Sequence, residues 1–147
     1  MHKKITLYTD GGCRGNPGIG GWGCLLKYEG EVKELYGSEK HTTNNRMELT
    51  AVIQGLQQLK QPCEVLLISD SKYVCDGIEK WLSNWIKKNW LTASKKPVLN
   101  KDLWQQLSQL LETHQVTCQW VKGHNGHPEN EQADILANQA MDKLELE

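Results

Sequence analysis

The sequence predicts one α/β domain built on a mixed sheet with an antiparallel part, covered by helices. Three observations carry this. The first forty residues hold three runs rich in β-formers, the second and third flanking Glu29-Gly30 as the arms of a hairpin do. From Thr43 the apolar residues switch to a helical period. The next apolar run, Val65 to Ile68, is then continuous, as in a strand covered on both faces by helices. Read to its end, the chain gives the order β-β-β-α-β-α-α-α-β-α.

Each element has its own justification. Residues 4 to 10, Lys-Ile-Thr-Leu-Tyr-Thr-Asp, alternate and form the first strand; Trp22 to Tyr28 and Glu31 to Tyr36 form the second and third. Between them, "YTDGGCRGNPGIGGWG" crowds seven glycines into the thirteen positions after Asp10. Its tail, Gly18 to Gly23, satisfies G-x-G-x-x-G. A dinucleotide site needs those glycines to open a helix whose N-terminus holds the pyrophosphate, and here they run into a strand. Leu49, Val52, Ile53, Leu56 and Leu59 stripe the first helix, with Thr42, Thr43 or Asn44 as its N-cap and Pro62 beyond its end. The strand Val65 to Ile68 closes at Ser69-Asp70. Lys72 to Lys88 is helical in pattern and carries Trp81 and Trp85, with Trp90 and a lysine-containing loop following to Pro97. Leu103, Leu107, Leu110 and Leu111 mark a further helix, and Gln115 to Val121 a last strand. Lys122 to Pro128 is a loop, and Pro128 suits the first turn of a helix with Ala133, Leu136, Ala137, Ala140 and Met141 on one face.

Composition narrows the function classes. At 147 residues the chain has the length of one domain, able to bury roughly two-thirds of its unfolded surface. No apolar run approaches the roughly 20 residues of a membrane span, and Ile5 to Tyr8 is too short for a secretory signal. A soluble, cytoplasmic monomer is expected. The five cysteines are odd in number and contain no C-x-x-C pair, which predicts reduced thiols and no zinc site. Net charge is -1, yet Lys80 through Lys101 holds six lysines and no acid, so a basic protrusion is expected at about 80–98.

The carboxylates are placed more tellingly than the charge total. Asp10 and Asp70 close strands. Glu48 lies about 70° from the middle of its helix stripe, and Asp134 at the edge of the last one. All could converge at one rim of the sheet, where open α/β sheets bind ligands. Singly, each has an ordinary reading: Glu48 and Asp134 as helix-dipole partners in a first turn, Asp10 as a turn residue. Together, their mutual repulsion demands a hard divalent cation, and four carboxylates could hold two.

The segments "YTDGGCRGNPG", "TTNNRMELTA", "SDSKYV" and "WVKGHNGHPENEQAD", in this order and spacing, closely resemble bacterial type 1 ribonuclease H from about Lys4 to Met141. The resemblance implies the ribonuclease H-like fold, a five-stranded mixed sheet with three antiparallel strands and then two parallel ones. It implies a divalent-metal-dependent endonuclease that hydrolyses the RNA strand of RNA/DNA hybrids, leaving 5′-phosphate and 3′-hydroxyl ends. Asp10, Glu48, Asp70 and Asp134 take the places of the family's metal ligands, for two Mg2+ ions or Mn2+ in their stead: one to activate the attacking water, one to stabilise the leaving oxygen. His124 takes the place of the loop histidine that assists protonation or product release.

The same resemblance assigns the hybrid. Telling RNA from DNA needs contacts to the 2′-hydroxyl in the minor groove. Backbone groups near Cys13 and Gly15, with the side chains of Asn16, Asn44 and Asn45, fit that need, and the glycines would let the backbone approach the groove. Thr43 and Asn100 would hold a DNA phosphate. Trp81, Trp85, Trp90, Lys87 and Lys88 would form the handle on the DNA strand, while Lys72 lies near the RNA strand. Trp104 and Trp120 are expected in the core. Many bacterial members have arginine at His41 and glutamine at Lys72, departures that bear on hybrid affinity and not on the chemistry. No separate hybrid-binding domain is expected beyond residues 1–147. Two other functions compete. A junction resolvase or integrase core shares the fold class but lacks the basic protrusion and the Asn44-Asn45 pair; a non-catalytic hybrid-binding module would have lost carboxylates.

Overall fold

The computed structural model describes residues 3–123 and 127–147. Its strands β1 (Lys3–Arg14), β2 (Gly18–Tyr28), β3 (Glu31–Thr42), β4 (Cys63–Ser69) and β5 (Gln115–Trp120) form one sheet in the order β3-β2-β1-β4-β5. β1 pairs antiparallel with β2, and β2 with β3; β4 runs parallel to both β1 and β5. The first three strands extend beyond their apolar stretches, β1 carrying the glycines Gly11 and Gly12 within it. Ile5, Leu7 and Thr9 point into the core, so the alternation seen in the sequence is the alternation of burial.

Helices cover both faces. α1 (Asn44–Gln57) is capped by Thr43, whose hydroxyl accepts from the Arg46 backbone N–H at 3.3 Å. It lies with α2 (Lys72–Asp76), α3 (Leu82–Lys87) and α4 (Lys101–Thr113) over the face carrying Leu7, Val65 and Leu67. Leu7, Leu49, Leu56, Leu67 and Leu107 are fully buried there, each contributing about 1.5–3 kcal/mol of burial. α5 (Pro128–Glu145) covers the opposite face over Tyr8 and Leu25. It sits close because β2 offers glycines beneath Ala133 and Ala137: a Cβ at Gly21 or Gly23 would overlap the carbonyls of Ala137 and Ala133. The strand reading that displaced a dinucleotide site therefore holds, and these two glycines serve helix packing, not groove approach.

Four further expectations are corrected. β4 is only partly covered on its outer face: Ile68 is buried, but Leu66 is 36% exposed, because α5 spans the β1–β3 side of the sheet. Trp120 is not core but 42% exposed: it lies on the same face as Cys118, two positions before it, but it is the last residue of β5 and its ring stays open to solvent. The helix predicted over Lys72–Lys88 is broken by a π-helical turn, Gly77–Trp81, in which the Leu82 N–H reaches back to the Gly77 carbonyl. Nor are all five cysteines reduced: α2 lies against β5 with the Cα atoms of Cys75 and Cys118 5.7 Å apart, and these two form a disulfide, leaving Cys13, Cys24 and Cys63 free. No described helix is long and apolar enough to cross a membrane.

Candidate active site

Topology alone brings the first two carboxylates together. β1 and β4 are adjacent and parallel, in register up to the pair Thr9 and Ser69, so Asp10 and Asp70 follow at the same height on the C-terminal edge of the sheet. The chain turns away at once after Asp70: the Ser69 hydroxyl accepts from the Ser71 N–H at 3.0 Å, and Ser71 caps α2 by accepting from Val74. α1 delivers Glu48 from its fifth residue, and α5 delivers Asp134 from its seventh. Both lie past the first turn, where the helix dipole no longer rewards an acid. One oxygen from each of Asp10, Glu48 and Asp70 lies within 4.8 Å of the others. Asp134 faces the same cleft of about 340 Å³ and is hydrogen-bonded with Asp10.

This packing of acids is electrostatically costly without a counter-charge. Burial first, then the Asp70 charge and the hydrogen bond with Asp134, push Asp10 up to about 9. Glu48 is also raised well above the usual carboxylate range, by burial and then by Asp10 and Asp70. Its Oε1 is shut off from solvent and has no hydrogen-bond partner among the described residues. An all-oxygen donor set with an unsatisfied buried oxygen fits a hard divalent cation.

A consequence for stability follows. Between the unperturbed 3.8 and about 9, folded Asp10 holds a proton that the unfolded chain has released. Without metal, stability is therefore fully present below that window and falls as pH rises through it. Melting temperatures taken across this range in chelator should decline with pH, and saturating magnesium should flatten the decline. Parallel slopes with and without the cation would contradict the assignment.

Beside the cleft lies a second hollow of about 340 Å³, lined by Asn16, Thr43, Asn44, Asn45, Leu99 and Asn100. Asn44 lines both, so the two adjoin. Asn16 accepts from the Asn44 N–H at 3.1 Å, which fixes the β1–β2 turn against the start of α1. Gly15 occupies that turn with a positive φ of 76°. The Cys13 thiol is turned inward to the Thr42 carbonyl at 3.2 Å, so only its backbone faces a ligand. Asn100, left-handed at φ 60°, is held through both ends of its amide: Arg46 donates to its oxygen at 3.2 Å, and its nitrogen donates to the Tyr73 hydroxyl at 3.1 Å. Arg46 is in turn locked by two bonds to Asp102 at 2.7 and 3.0 Å.

The tryptophans form a graded series. Trp104 is fully buried, Trp85 packs edge-on against it at 5.2 Å, and Trp81 and Trp90 flank Trp85 at 5.8 and 6.4 Å. Exposure grows outward, and Lys87 and Lys88 are exposed at the end of α3. Lys72 is also exposed and stacks its ammonium 4.7 Å over the ring of Trp120, which donates to the Asp70 carbonyl at 2.9 Å. His41 is exposed on β3. His124 lies outside the described residues. Sequence reasoning missed Arg46, Asp102 and Tyr73, which steady Asn100 from distant positions, and also Asn138, whose spacing of four from Asp134 was a usable signal.

A sheet of three antiparallel and two parallel strands, with acids gathered at its C-terminal edge, defines the ribonuclease H-like class. The family model for RNase H matches residues 2–142. A ribonuclease H of Hydrogenovibrio crunogenus is 63% identical over 97% of this chain and 98% of its own, and a ribonuclease HI of Pseudomonas putida 56% identical over 98% and 97%. Among solved structures, LC9-RNase H1, a type 1 RNase H with the type 2 active-site motif, superposes with a TM-score of 0.87 at 33% identity, covering 97% of this chain and 74% of that one. LC11-RNase H1, solved in complex with an RNA/DNA hybrid, gives 0.71 at 27% identity, covering 95% and 98%. The chain belongs to the ribonuclease H family, among its bacterial type 1 enzymes.

Proposed function

We propose that this chain, acting as a single domain and a monomer, hydrolyses the RNA strand of RNA/DNA hybrids by two-metal-ion chemistry, leaving 5′-phosphate and 3′-hydroxyl ends. The observation that carries the reading is the meeting of Asp10, Glu48 and Asp70 oxygens within 4.8 Å, in a cleft that adjoins the asparagine-lined hollow. Asp10, Glu48, Asp70 and Asp134 would hold magnesium, with manganese as a substitute. When bound, the ions supply an activated water and stabilisation of the leaving oxygen.

The chain's own residues do the rest. Asn16, Asn44, Asn45 and the backbone at Cys13 and Gly15 present donors and acceptors to ribose 2′-hydroxyls, the groups by which RNA differs from DNA. Thr43 and Asn100 both line the hollow and receive a DNA phosphate. Trp81, Trp85 and Trp90 offer ring faces, and Lys87 and Lys88 charge, to the DNA strand beyond it. Lys72, steadied on Trp120, reaches toward the RNA strand from the residue pair after Asp70. His124 serves the leaving group or product release as a group that is not a metal ligand.

A cleavage assay on labelled single-stranded RNA, duplex RNA, duplex DNA and RNA/DNA hybrid, each with magnesium and with chelator, tests this. Cutting is expected only in the RNA strand of the hybrid and only with metal. Branched-DNA or duplex-DNA cleavage would favour a resolvase-like activity. Hybrid binding without any cutting would favour a binding module.

A further inference from the structure

Resting on the assignment of Asp134 as a metal ligand, we propose that Asn138, clamped by Arg14, is a positioning residue that sets the Asp134 carboxylate for metal binding. Asn138 lies one helical turn beyond Asp134 on α5. Its Nδ2 donates both to the Asp134 backbone carbonyl at 3.0 Å and to the Asp134 Oδ1 at 3.3 Å. That bond ties the same carboxylate that is hydrogen-bonded with Asp10.

An asparagine amide can rotate end for end, so its donor needs fixing. Arg14, on the last residue of β1, supplies this. Its Nη2 donates to the Asn138 Oδ1 at 3.2 Å, which forces the NH2 end toward Asp134. The same guanidinium is tied to α5 at two further points, Asp142 at 2.7 Å and Glu145 at 2.9 Å. Arg14 thus bridges the strand that bears Asp10 to the helix that bears Asp134, and the relay Arg14, Asn138, Asp134 spans the wall of the cleft. Partners that orient a ligating carboxylate are worth roughly 10–100-fold in metal affinity when removed.

A role in helix packing alone would lower the melting temperature of the key variant and leave its metal binding unchanged; the positioning role does the reverse. Alanine is the better helix former, so Asn138→Ala should leave the melting temperature unchanged or raised. Manganese binding to the hybrid-free protein, followed by the electron paramagnetic resonance of free Mn2+, is the direct readout. Asn138→Ala is expected to weaken manganese binding by about tenfold. Arg14→Met, which keeps the aliphatic stem and removes the clamp, should shift the same isotherm in the same direction by less. Asp134→Asn is run beside them. If Asp134→Asn weakens binding and the Asn138→Ala isotherm superimposes on wild type, the positioning role is overturned and the ligand assignment stands. If Asp134→Asn changes nothing, the ligand assignment falls and this inference with it.

Discussion

Asp10→Asn is expected to abolish metal-supported cleavage while leaving hybrid affinity intact or slightly improved. The substitution keeps the side-chain shape and removes one negative charge from a site where Asp10 touches Asp134 and faces Asp70 and Glu48. Bound divalent cations supply several kcal/mol of charge stabilisation, and each 1.36 kcal/mol is tenfold in rate, so a fall of about three orders of magnitude or more is expected. Affinity moves the other way because the cleft's acids repel the phosphates that the neighbouring lysines attract. In chelator the variant should also be the more stable protein at high pH, since a buried charge without a partner has been deleted. Single-turnover cleavage and fluorescence anisotropy on the same hybrid separate the two effects. A variant that cut normally, or that lost binding in proportion to cutting, would refute the placement of Asp10 as a metal ligand.

What the sequence disclosed and what it withheld divide along a physical line. Asp10 and Asp70 were legible because parallel register carries them: once β1 and β4 are adjacent, both follow the last parallel pair, although β1 itself runs on past Asp10 to Arg14. Glu48 and Asp134 were legible as acids at the edge of apolar stripes, which is a one-dimensional property. Trp120 was misjudged because a tryptophan's identity does not state its burial; it shares the face of Cys118 but ends β5, and Lys72 then covers the ring. The Cys75–Cys118 bond and the Arg46–Asp102 pair join residues 43 and 56 positions apart with no local pattern, so only the fold reveals them. Asn100 was assigned a phosphate by resemblance, but the two bonds that hold its amide come from elements that no spacing connects. The glycines of the opening motif divide by position: Gly11 and Gly12 line the cleft, whereas Gly21 and Gly23 lie under α5, a distinction that their number alone does not carry.

Gly11 shows how such packing reaches the chemistry, and its substitution is the second large effect expected. A Cβ at Gly11 would overlap the backbone of Met47 and Glu48, lying 2.8 Å from the Met47 carbonyl oxygen, and backbone cannot rotate out of the way as a side chain can. Gly11 also donates its own N–H to the carboxylates of Asp10 and Glu48, so strand and helix meet here through the site itself. Gly11→Ala must therefore push α1 from β1 at the residue that carries a proposed metal ligand. Overpacking of this kind costs about 1–3 kcal/mol of stability, and a displacement approaching 1 Å at a catalytic group can cost about 10²-fold in rate. Gly12, its neighbour in β1, is the control: a Cβ there meets only the terminal methyl of Met141 at 3.7 Å, an ordinary contact with a flexible side chain. Gly12→Ala should melt and cleave close to wild type, while Gly11→Ala should lose both stability and turnover and need more magnesium for half-maximal cutting. Equal behaviour of the two alanine variants would mean that α1 can shift without moving Glu48, and the coupling of helix packing to the acidic cluster would be wrong.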